Sequence, residues 1–91
     1  MTPVGFGPVG LLCDELRLRV PGLETVLRCP EGRVTSLLKV ARPGIETRVI
    51  VWDRRRRVYR WKTGPDAGEK LGADVDQAAE AVAVALGLSI L

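Results

Sequence analysis

Apolar positions along this chain of 91 residues change period twice, from helical to alternating and back to helical. Over residues 9–19, Leu12 and Leu16 stand at i,i+4, and Leu11 and Leu18 at i,i+7. Asp14, Glu15, Arg17 and Arg19 fill the remaining face. That spacing predicts an amphipathic helix, and Pro21-Gly22 stops it. The Leu-Arg-Leu-Arg-Val end of this stretch also alternates, which leaves a strand open there. Four extended runs follow at residues 24–29, 33–41, 45–52 and 57–62. They are rich in β-branched residues and bounded by turn signals, as antiparallel strands are. Pro30-Glu31-Gly32 makes the first turn, and Pro43-Gly44 suits the centre of a type II turn. In the second run Val34, Ser36, Leu38 and Val40 share a face.

Residues 63–73 are rich in glycine and charge and read as a loop. A second helix follows. Asp74 is its N-cap, Gln77 completes a capping-box pattern, and Val75, Ala79, Val82 and Leu86 form one stripe before Gly87 at the C′ position. The order is helix, four-stranded antiparallel meander, helix, hence an α+β domain of two layers. Both helices are expected on one face of the sheet, leaving the other wet or covered by a neighbour. Residues 1–9 read as an extended apolar arm, 10–88 as the domain and 89–91 as a short apolar tail.

The third and fourth runs carry the candidate site. Asp53 suits the first position of a type I turn. A four-residue loop, Arg54 to Arg57, then sets Trp52 opposite Tyr59 and Ile50 opposite Trp61. Alternation groups Ile50, Trp52, Tyr59 and Trp61 on one face, and Val49, Val51, Val58, Arg60 and Lys62 on the other. Three readings stay open. The rings form the core and the arginines a solvated turn. Alternatively, the rings face outward as a stacking platform with cationic edges. In the third, they form a contact face for a partner. The candidate interaction residues are therefore Trp52, Arg54, Arg55, Arg56, Arg57, Tyr59, Arg60, Trp61 and Lys62.

Charge sharpens this picture. The net charge of +3 hides a division: residues 1–31 sum to −1, 32–62 to +8 and 63–91 to −4. A basic middle favours an anionic partner, either nucleic acid or an acidic protein face, and the acidic end can neutralise the basic patch of a second copy. Chemistry is sparse. Histidine, the usual general base and metal ligand, is absent. Cys13 and Cys29 fit no metal or redox spacing and read as buried thiols of a reducing cytoplasm. Asp14 and Glu15 disfavour a thiolate at Cys13. No phosphate-binding glycine loop occurs. No catalytic residues, metal, cofactor or small-molecule substrate are expected. The N-terminal residues lack the pattern of a secretory signal, and no segment has the apolar length to span a bilayer. The excess of arginine over lysine, with abundant alanine, valine and glycine, points to GC-rich bacterial coding.

Val51, Trp52, Tyr59 and Trp61, followed by Asp74, Ala78, Ala79 and Val82, resemble a pattern in small α+β domains of high-GC Gram-positive bacteria. The resemblance spans roughly residues 10–87. It implies an association with helix-turn-helix regulators and assigns no activity. The Arg54–Arg57 run replaces the Gly/Asp turn of those domains, which puts any shared partner in doubt. The element order is also similar to a double-stranded-RNA-binding domain, but Asp74-Val75-Asp76 is acidic where that family is basic. The functional expectation is a cytoplasmic, non-enzymatic interaction or regulatory module that self-associates as a homodimer or binds a protein partner. The alternative is a nucleic-acid-binding domain using hairpin 49–62.

Overall fold

A computed structural model describes residues 7–28 and 36–88. The expected turn at residues 30–32, Cys29, Val34, the outer part of the arm and the tail at 89–91 lie outside the described residues. The chain runs α1 (Gly7–Arg19), β1 (Glu24–Arg28), β2 (Leu37–Arg42), β3 (Ile45–Asp53), β4 (Val58–Trp61), β5 (Lys70–Gly72) and α2 (Val75–Leu86). The sheet is an antiparallel meander in the order β1-β2-β3-β4-β5. The α+β class and element order match the sequence expectation, with five strands in place of four.

The added strand comes from the segment expected to be loop. Lys70–Gly72 pairs with β4, setting Arg60 beside Lys70 and Tyr59 beside Gly72. Leu71 is its one buried residue, so no alternation could announce it. The start of α1 also differs. Gly7 and Pro8, expected in the arm, are helical. Pro8 is compatible with a first turn because its missing N–H would have had no helical partner there.

Of the two leucine stripes on α1, Leu12 and Leu16 enter the core with Val9 and Cys13, whereas Leu11 and Leu18 stay exposed. Pro21 and Gly22, the latter at φ 86°, turn the chain into β1. Leu38, Val40, Ile50, Tyr59, Trp61 and Leu71 bring the sheet to the same core. α2 contributes Ala78, Ala79, Val82, Ala83 and Leu86, and its alanines let helix and sheet approach closely. α1 and α2 pack against one another and on this one face of the sheet. No described helix covers the other face, where Val49, Val51 and Val58 remain half-buried between longer side chains of the sheet.

The ends of α2 follow the sequence closely. Gln77 N–H donates to Asp74 Oδ1 over 2.8 Å, and Gln77 Oε1 accepts from the N–H of Ala73 over 3.4 Å. Gly87 takes φ 69°, and the N–H of Leu88 donates to the Ala83 carbonyl over 2.8 Å, a Schellman closure. Arg42 Nη1 donates to the Leu86 carbonyl over 2.6 Å, placing a cation at the negative end of the helix.

Candidate functional site

The β3–β4 hairpin has the expected register, with Ile50 beside Trp61 and Trp52 beside Tyr59. Its turn is organised by Asp53. Oδ1 accepts the amides of Arg55 and Arg56 over 3.0 and 3.2 Å, and the Asp53 carbonyl accepts the amide of Arg57 over 2.7 Å. Asp53 Oδ2 lies 3.1 Å from Arg60 Nη2 and 3.8 Å from Arg56 Nη1. The Arg56 amide, chiefly, holds the Asp53 carboxyl below its ordinary range. Burial opposes this, and the Arg55 amide and the charges of Arg60 and Arg56 add to it. Arg57 closes the turn at φ 56°, a left-handed conformation that a non-glycine residue adopts only under constraint. All four turn arginines are exposed.

The rings lie on the opposite side of the question. Tyr59 and Trp61 are each only 2% exposed and belong to the core. Trp52 is half-buried against that core and meets Tyr59 edge-on, with ring centroids 4.8 Å apart at 67°. Tyr59 Oη donates to the Pro8 carbonyl over 2.6 Å, tying the hairpin to the first turn of α1. Burial, with a smaller push from the Asp74 charge, raises this phenol to about 12. Arg48, to which the sequence assigned no role, stands 5.4 Å from the centre of the Trp61 ring and 3.5 Å from Asp66 Oδ2. Its position two residues before Ile50 was the available signal.

The candidate residues therefore divide. Arg54, Arg55, Arg56 and Arg57 form an exposed cationic tip. Arg60 flanks it on the uncovered face, and Lys62 is exposed nearby. Trp52, Arg60, Trp61 and Lys62, with Val51 and Gly68, line a shallow hollow of 400 Å³. Tyr59 and Trp61, expected as contact residues, offer no ring face to solvent. The helices need the largest apolar area the sheet can supply, and these rings carry it. Of the three readings of the hairpin, the burial of Tyr59 and Trp61 matches the first, with these rings in the core and the arginines on a solvated turn.

A second surface escaped the sequence reading. Between α2 and the β4–β5 edge runs an open groove of 430 Å³. Trp61, Leu71, Ala81 and Val84 line it, with Asp66, Glu69, Glu80 and Lys70 among its charged groups. Four separate segments build it, so only the acidic sum of residues 63–91 hinted at it. Among the described residues, no group of three Cys, Asp or Glu side chains is arranged to hold a metal ion. No helix among them is long and apolar enough to cross a membrane. No protein-family model, curated protein or solved structure matches the chain.

Proposed function

We propose that this chain is a non-enzymatic protein-interaction module that engages an anionic surface through the tip Arg54–Arg57, with Arg60 and Lys62 beside it, and that it self-associates. One observation carries the reading. Arg54, Arg55 and Arg57 have no ion-pair partner among the described residues, yet the turn that carries them is pinned by three hydrogen bonds to Asp53, from the amides of Arg55, Arg56 and Arg57. Cations presented on a fixed turn lose less freedom on binding than cations on a free loop. A regulatory role rests on the resemblance alone. A reducing cytoplasm suits Cys13, a free thiol sealed in the core.

The same tip supports a second reading, contact with nucleic-acid phosphates. Because Tyr59 and Trp61 are internal, such contact would be with the backbone and largely blind to sequence. Light scattering of the wild-type chain and of the R54S/R55S/R56S/R57S variant, beside oligonucleotide anisotropy, separates the two. The proposal expects association lost in the variant and weak oligonucleotide binding. Tight oligonucleotide binding that fades between ~50 and ~200 mM salt, by a chain that stays monomeric, favours the second reading.

A further inference from the structure

Resting on that reading, we infer that the anionic surface is a second copy of this chain, and that the tip of one copy docks in the α2 groove of the other. The groove has an apolar lining with an acidic rim. Val84 is 74% exposed there, and Ala81 and Ala85 on the same helix leave room beside it. An arginine side chain matches this pattern, because its methylenes cover apolar surface while its guanidinium reaches a carboxylate at the edge.

The charges are complementary and are not satisfied among the described residues. Glu69 and Glu80 make no ion pair among the described residues, and neither do Arg54 and Arg55. Asp66 is held by Arg48 but remains 40% exposed, enough to take a second partner. Lys70 is the opposing charge at the rim, outnumbered by the three carboxylates. The groove's acidity also excludes a phosphate backbone, which leaves a basic protein segment as its occupant. Every copy carries both halves, so two copies can exchange tips about a two-fold axis, making each contact twice and closing the assembly.

Sedimentation velocity on two charge-reversed variants tests this. R54E/R55E/R57E has an acidic tip, with Arg56 its one remaining cation, and an acidic groove. E69R/E80R has a basic tip and a basic groove. All five positions are exposed, and circular dichroism checks that each variant folds. The wild type is expected to dimerise, and each variant alone to weaken by ~100-fold or more, since like charges now meet. Mixed in equal amounts, the variants should form a heterodimer of near wild-type affinity, because each tip then faces a groove of opposite sign. A wild type that dimerises while the mixture stays monomeric, or variants that dimerise unchanged, overturns the tip-in-groove contact and leaves self-association standing. A wild type that is monomeric throughout removes both.

Discussion

Asp53 Oδ2 sits 3.1 Å from Arg60 Nη2 across the base of the hairpin turn, while Oδ1 of the same carboxylate accepts the Arg55 and Arg56 amides. One side chain thus fixes the shape of the tip and neutralises the cation beneath it. Arg54, Arg55 and Arg57 make no ion pair among the described residues and are left for other partners. Asp53→Ala should lower the urea midpoint and loosen the tip, and Asp53→Asn, which keeps an amide-accepting oxygen, should cost less. The fold holds the carboxyl below its ordinary value of 3.8, so its contribution is fully present above that pH and fades as pH falls through the lower folded value. The difference between wild type and Asp53→Ala should therefore shrink in acid. A gap that persists undiminished at low pH would contradict the charge assignment.

Burial sorts the two tryptophans. Trp61 is enclosed, so Trp61→Ala should destabilise by ~3–5 kcal/mol, enough to unfold so small a domain. Trp52 is half-buried at the core's edge and should cost less. Intrinsic fluorescence should show Trp61 as the bluer, less quenchable emitter, read from single-tryptophan variants to Phe.

Arg57 adopts φ 56° without glycine's freedom, and its side chain is exposed. Arg57→Gly should relieve that conformation and stabilise the hairpin by ~0.5–1 kcal/mol in denaturant titrations. Destabilisation by this substitution would mean that the Arg57 side chain makes a contact of its own in the folded chain.

Tyr59 joins hairpin and helix through its 2.6 Å bond to the Pro8 carbonyl. Tyr59→Phe should cost ~0.5–1.5 kcal/mol near neutral pH. The folded phenol titrates at about 12 against an ordinary 10.0, so its contribution holds below about 10 and is lost as pH rises toward the folded value. The wild type should accordingly weaken in that alkaline window more steeply than Tyr59→Phe, as followed by thermal melts.

Local signals were legible in the sequence, and assembled surfaces were not. The Asp53 turn and the alternation around Trp52 and Trp61 implied the register that the hairpin adopts, Trp52 beside Tyr59 and Ile50 beside Trp61. Asp74 and Gly87 announced both ends of α2 because each acts within one turn of chain. Leu11 and Leu18 matched helical spacing as well as Leu12 and Leu16 did, and only the position of the sheet decides which pair is buried. β5 is three residues long, too short for periodicity, and depends on β4 for its partner. The groove joins Trp61 and Leu71 to Ala81 and Val84 over about twenty residues of sequence, a juxtaposition that exists only once the chain has folded.

The most direct test of the central claim, that a cationic tip fixed by Asp53 drives association, is light scattering across a concentration series at low and high salt. A dimer at low salt that dissociates between ~50 and ~200 mM, and is absent from R54S/R55S/R56S/R57S at an unchanged melting temperature, is the predicted result. Self-association indifferent to both salt and the four serines, or a monomer at every concentration, would contradict it.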